Sequence, residues 1–207
     1  MEFKNSMRRV LTAVAHHEPE VGYVQGMNFI VAGLLYSLAG VGKIRPTDEK
    51  MAFLFMLSIL KKYEVEKLYT KDMKEIMKIT ASLETFIELK EPAIHKALNS
   101  IDSPTFIFFS SMLFSICLHV IRIELAPRIL DLFFLFGTDG LVKTFFCMIQ
   151  MNKNAIIEAK GEQALMDVLQ KKVMPGMFND PKRFDELMNY LIRVLNYEKI
   201  IYISRYA

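Results

Sequence analysis

Glu18-Pro19-Glu20-Val21-Gly22-Tyr23-Val24-Gln25-Gly26-Met27-Asn28, followed by the apolar run Phe29 to Leu35, is the stretch on which the reading of the chain turns. A glutamine lies between two glycines, just after a proline turn and just before an apolar helical run. Gly22 and Gly26 permit a tight bend and the close approach of another backbone. A side chain carrying both an amide donor and a carbonyl acceptor is therefore expected at a helix start. Neither a P-loop nor a dinucleotide fingerprint occurs in these glycine spacings.

Working outward, the rest of the chain reads as helical scaffold. Before the motif, Phe3, Met7, Val10, Leu11 and Val14 recur at three- and four-residue spacing, an amphipathic helix from Phe3 to Ala15 that His16-His17-Glu18-Pro19 ends. After it, Gln25 to Leu38 is apolar on most sides and is expected at the centre of the core. Pro46-Thr47-Asp48-Glu49 opens a helix running to Lys62, and the pattern from Val65 to Leu89 predicts one long helix. Glu91-Pro92 breaks it before a short helix from Ala93 to Leu98. Ser103-Pro104 starts an apolar helix toward Ile121. Helices from Arg128 to Phe136, ended by Gly137, from Asp139 to Asn154, from Glu162 to Gln170 and from Phe184 to Tyr197 complete the pattern, with Pro175-Gly176 as a turn and an aromatic tail from Ile200 to Ala207. The fold class is all-α: an irregular multi-helix domain of about nine or ten helices spanning residues 1–207. No repeat of 34 to 47 residues occurs in the glycine, proline and aromatic positions, which leaves a solenoid as the alternative architecture.

Composition narrows the function. The 207 residues are 52% hydrophobic, with 16 Phe and 14 Met, so a membrane span has to be considered. The longest uncharged run, Ser103 to Ile121, is spotted with serines and His119 and reads as a buried core helix. Net charge is +3, too balanced for a nucleic-acid surface. Cys117 and Cys147 fall within apolar helical stretches, as reduced buried thiols of a cytoplasmic protein do. No basic segment with a short apolar core and a cleavage site opens the chain, so no secretory signal is expected. Adjacent His16 and His17 point to different sides of a helix and have no Cys or acidic partner at ligand spacing, which argues against a metal site.

The stretch from Glu18 to Leu35 resembles the glutamine-finger motif of the TBC domain, the all-helical module of Rab GTPase-activating proteins. Arg9 to Ala15 resembles the helix leading into that motif, and Glu49-Lys50-Met51-Ala52-Phe53, Glu91-Pro92-Ala93-Ile94 and Arg128 to Gly137 are similar to later landmarks. The resemblance is collinear over roughly Met7 to Met174 and most specific in the first motif. It implies that Gln25 is a water-orienting finger supplied to a GTPase, with Tyr23, Gly22, Gly26 and Asn28 as GTPase-binding residues. The implied partner is a Rab-type small GTPase in its GTP state. The domain would have no cofactor of its own, since GTP and Mg belong to the partner, and peripheral recruitment to endomembranes would follow from the Rab.

Two departures accompany the resemblance. The family's arginine finger lies in an Ile-x-x-Asp-x-x-Arg motif upstream of the glutamine; only 24 residues precede Gln25, and that motif is not among them. Arg8 and Arg9 stand in the wrong helix to replace it. The chain also has no Trp where the family usually places one, Phe109 being the nearest match. An arginine finger is worth about 10³ to 10⁵ in rate, so this chain used alone is expected to be a poor activator, with the arginine upstream. The face such an upstream helix would cover predicts weak self-association. Two other readings stay open: a catalytically silent Rab-binding scaffold, and a helical-repeat adaptor that binds a peptide in a groove.

Overall fold

A computed structural model describes residues 2–100, 104–173, 176 and 178–197. Among them are ten α-helices and no strand. In chain order these are α1 (Glu2–His17), α2 (Met27–Ala39), α3 (Pro46–Lys61), α4 (Lys74–Lys90), α5 (Pro92–Leu98), α6 (Pro104–Ser115), α7 (Ala126–Met151), α8 (Lys153–Glu158), α9 (Glu162–Val168) and α10 (Pro181–Tyr197). Short 3₁₀ turns occupy Val65–Tyr69 and Ile123–Leu125, and one π turn Leu169–Val173. The expected tail from Ile200 to Ala207 and residues Ser103 and Pro175 lie outside the described residues.

The chain divides into two compact units: Met1–Glu75 with Ser111–Thr138, and Ile76–Ser110 with Asp139–Ala207. In the first, α1, α2 and α3 pack against one another pairwise. Their apolar stripes meet through Val10, Val14, Met27, Ile30, Val31, Leu34, Leu35, Ala52, Met56, Ile59 and Leu60, all buried. Gly33 lets α2 approach closely, since a Cβ there would stand 3.0 Å from Leu118 Cδ1 and 3.3 Å from Ala126 Cβ. Aromatic rings extend this core: Tyr63 packs on Phe133 with ring centroids 5.1 Å apart, and its hydroxyl donates to the Phe134 carbonyl at 2.7 Å. At the surface, Arg9 grips both carboxylate oxygens of Glu49, tying α1 to α3. That bond holds the Glu49 carboxyl below its ordinary range.

The second unit carries its own apolar core, in which Phe109 meets Phe145, Phe86 meets Phe146 and Phe178 meets Phe184. Its buried carboxylate, Glu91, accepts from Lys153 Nζ at 2.7 Å and Gln150 Nε2 at 2.8 Å, and Tyr190 in turn donates to Gln150 Oε1. Burial alone would raise the Glu91 pKa, but these two donors keep it low. The paired carboxylate is thereby accommodated where an unpaired one would be costly. Both cysteines are buried and form no disulfide, and burial pushes the Cys117 pKa up.

Several expected boundaries move. The span Val65 to Leu89 is not one helix: the 3₁₀ turn stops at Tyr69 and α4 starts at Lys74, after Met73 adopts a left-handed φ of 51°. The apolar helix from Pro104 ends at Ser115, not Ile121, because Ile116 and Cys117 take left-handed φ values of 51° and 62°. Both are fully buried, so tertiary packing overrides the ordinary reluctance of a β-branched residue to enter that region. Gly137, with φ 59°, breaks the helical run where the sequence placed a stop. By length and hydropathy Ile123–Met151 could cross a membrane, yet 67% of its most apolar window is buried inside the protein and Gly137 interrupts it, as in a core helix.

Phe133 is fully buried against Tyr63. Replacing it with alanine is expected to cost about 3–5 kcal/mol, read as a shift of the urea midpoint; a loss below about 1 kcal/mol would show that this aromatic cluster does not organise the core.

Candidate functional site

The segment between α1 and α2 is built as a sequence of small closures. Glu18 N–H donates to the Val14 carbonyl at 2.9 Å, ending α1, and the Glu18 carbonyl accepts from Gly22 N–H at 2.8 Å. Gly22 reverses the chain at φ 63° with open space around it. The Glu18 carboxylate meets Lys61 Nζ at 2.7 Å, and Lys61 also binds Glu66 at 2.7 Å, so the loop is pinned to the end of α3. These two carboxylates raise the Lys61 pKa, which keeps the anchor charged across the whole physiological range.

Gln25 lies in the turn just before α2, not within its first helical turn. It is exposed, and among the described residues its side chain bonds to none. A glutamine serving only its own backbone would not look like this. Its neighbours are fixed by Asn28, whose Oδ1 accepts from Gly26 N–H and from Tyr23 Oη, each at 3.3 Å. Asn28 thus staples the residues on either side of Gln25. Val24 N–H points at Met27 Sδ at 3.4 Å, and Met27 N–H returns to the Val24 carbonyl at 3.1 Å. The result is a short, rigidly closed loop with a free carboxamide at its apex.

Gly26 explains why this loop cannot sit elsewhere. At φ 116° it faces the end of α6 so closely that a Cβ would stand 2.6 Å from the Phe114 carbonyl oxygen. A second contact comes from Phe29, whose ring meets His119 edge-on at 6.2 Å. Phe29, expected in the core stripe, is in fact partly exposed at the rim. His119 Nδ1 lies 2.6 Å from Ser115 Oγ.

Beside the loop is an open groove of about 490 Å³. It is lined by Lys4, Asn5, Met7, Arg8, Leu11, Thr12, Ala15 and His16 of α1 together with Tyr23 and Asn28. Part of the apolar stripe read from α1 is therefore open: Val10 and Val14 are buried, whereas Met7 and Leu11 line this groove. Tyr23 is 55% exposed at its edge. The five residues singled out in the sequence, Gly22, Tyr23, Gln25, Gly26 and Asn28, thus occupy one loop, but they divide in role. Gln25 and Tyr23 face solvent, Gly26 and Asn28 shape the loop, and Gly22 supplies its reversal. Lys61, Glu66, Tyr69 and Phe114 were not found from sequence, because each reaches the loop or its support across tens of residues and no local spacing signals that. Among the described residues no three His, Cys, Asp or Glu side chains converge as a metal site would require.

Two measurements follow from this geometry. Gly26→Ala is expected to lose about 2–4 kcal/mol from positive φ and backbone collision together, against about 1 kcal/mol for Gly22→Ala, where only φ is at issue. Equal losses in chemical denaturation would contradict the close approach. Burial also lowers the His119 pKa. The unfolded chain binds a proton there near the ordinary histidine value and the folded chain only below it, so stability rises with pH across that window. Its contribution is complete above about pH 6.5 and is lost as the pH falls from there. The fall in melting temperature from pH 7.5 to 5.5 should shrink in His119→Gln; an unchanged fall would place the titration elsewhere.

Comparison with known proteins identifies the family. The profile of the Rab-GTPase-TBC domain matches residues 2–157. The GTPase-activating protein GYP5 of Eremothecium gossypii is 25% identical over 174 residues, covering 84% of this chain and 19% of the relative. The Rab GTPase-activating protein eat-17 of Caenorhabditis elegans is 24% identical over 164 residues, covering 79% and 17%. Growth hormone-regulated TBC protein 1-A of Danio rerio is 29% identical over 177 residues, covering 84% and 46%. The chain spans less than half the length of each of these relatives. The match over most of the chain, together with an all-helical fold among the described residues, assigns this protein to the Rab-GTPase-TBC domain family.

Proposed function

We propose that this chain acts on a Rab-type small GTPase in its GTP state and supplies Gln25 to the hydrolytic site. The observation that carries the reading is the exposed carboxamide of Gln25, bonded to none of the described residues, on a loop closed on both sides by Asn28. Hydrolysis needs a water held in line with the phosphoryl group and compensation of the charge that develops on its oxygens. The Gln25 carbonyl accepts a hydrogen bond from that water while its NH2 group donates toward the phosphate. Because the loop is pre-closed, little ordering is left for the moment of reaction. Tyr23, exposed at the groove edge, packs against the GTPase beside the nucleotide. GTP and its magnesium ion are held by the partner.

Charge compensation is a separate task, suited to a planar, permanently charged guanidinium. The TBC resemblance gives that task to an arginine in an Ile-x-x-Asp-x-x-Arg motif, which is not among the 24 residues before Gln25, so these residues used alone bind the GTPase but accelerate hydrolysis weakly. The protein works in the cytoplasm, at whichever endomembrane its GTPase occupies.

Single-turnover GTP hydrolysis on a panel of Rab-type GTPases tests this. The chain joined to an upstream arginine segment should accelerate one of them by about 10³-fold or more over the chain alone, and Gln25→Ala should remove most of that gain. Binding of a GTP-loaded partner with no acceleration by either form would favour a catalytically silent scaffold.

A further inference from the structure

We infer that Tyr69 is a positioning residue for Gln25, acting through the Phe114 carbonyl on which Gly26 rests. The inference builds on the proposed role of Gln25 and names a support of that same site.

The chain of contacts is short. Phe114 lies in the last turn of α6, where carbonyls lose their helical partners. Ser115 passes its carbonyl to Leu118 N–H, and Met112 and Leu113 accept from Cys117 and Ile116, as the chain turns through two left-handed residues. The Phe114 carbonyl instead accepts from Tyr69 Oη at 3.0 Å. The Tyr69 ring lies nearly parallel to that of Phe114, 13° apart with centroids at 6.1 Å. The same carbonyl is also the surface against which Gly26 packs, with no room for a single added carbon. One oxygen therefore meets both the phenol and the residue next to Gln25.

This placement has a mechanical consequence. A free carbonyl at a helix end can tilt, and a tilt here moves the wall that fixes Gly26. Tyr69 comes from the 3₁₀ turn Val65–Tyr69, which packs on α3, and its fixed end is therefore part of the first unit's core. The phenol is half-buried, and burial raises its pKa, so it stays a protonated donor. Since a misplacement of about 1 Å at a reacting group can cost roughly 100-fold in rate, a phenol that never touches the GTPase can still set the turnover.

The test compares the full chain carrying an upstream arginine segment with its Tyr69→Phe, Gln25→Ala and doubly substituted forms. Tyr63→Phe is the control, because Tyr63 makes the same kind of phenol-to-carbonyl bond but to Phe134. Tyr69→Phe is expected to lower the maximal single-turnover rate about 10-fold or more with half-saturation unchanged, and to add nothing to Gln25→Ala. Tyr63→Phe should leave the rate alone. A raised half-saturation, an additive effect in the Gln25→Ala background, or equal loss in both tyrosine variants would overturn the inference.

Amide hydrogen exchange of the free chain separates this from failure of the glutamine reading itself. Tyr69→Phe should speed exchange at Gly26, Met27 and Phe29 about fivefold or more, the factor set by one lost hydrogen bond, while exchange in α10 stays constant. If Gln25→Ala proves silent in hydrolysis and this change is still seen, the positional role stands without the catalytic one; unchanged exchange at those three amides overturns the positional role and leaves the glutamine reading to the hydrolysis arm.

Discussion

The close approach of the Gly26 backbone to the Phe114 carbonyl is the contact on which the arrangement of the site depends. It fixes the position of the loop before α2, and it does so without any side chain of the loop. The consequence is that the glutamine next to it is left free. Loops that present functional groups generally trade order for reach; here the order comes from a glycine wedge, an asparagine staple and a lysine anchor, and the reach from the single carboxamide left over. The same logic explains why α2 is the most apolar helix of the first unit: a helix buried on most sides gives the loop an immobile foundation.

Much of this was legible in the residues. Heptad-like stripes located α1, α2 and α3, and Val10, Val14, Ile30, Leu34, Ala52, Met56 and Ile59 are buried as their spacing requires. The Gly-x-x-x-Gly spacing of Gly22 and Gly26 announced a tight turn and a close backbone contact, and both glycines take positive φ. Asp180 caps α10, accepting from Lys182 N–H at 2.9 Å. What local pattern could not reach was anything set by tertiary packing. Val65 to Leu89 has an uninterrupted helical period, yet the chain breaks at Thr70 to Met73, where Thr70 and Asp72 bond each other and Asp72 accepts from Lys74 N–H. No spacing reveals that Ile116 and Cys117 turn left-handed, because the energy for that comes from their complete burial.

The site reading shows the same division. Gln25 could be picked out because a polar group between two glycines needs a reason beyond packing, and Tyr23 because the family resemblance marks it. Asn28 was grouped with them as a contact residue, whereas its carboxamide is already used within the loop. Sequence resemblance points to residues, and geometry shows which of them also hold the loop. Lys61, pairing with Glu18 and Glu66, belongs to the second kind and would pass as one of many surface lysines in any linear reading.

The central claim is that Gln25 enters the nucleotide site of a GTPase, and its side-chain amide resonances offer the most direct view. Labelled chain should be titrated with a Rab-type GTPase carrying GDP and a planar aluminium fluoride, which mimics the transferring phosphoryl group, and separately with the GDP form. The account predicts that the Gln25 NH2 signals shift or broaden with the fluoride complex and not with GDP, together with signals from Tyr23 and Gly26. Binding that perturbs only residues of the second unit, with the Gln25 amide unmoved, would contradict it.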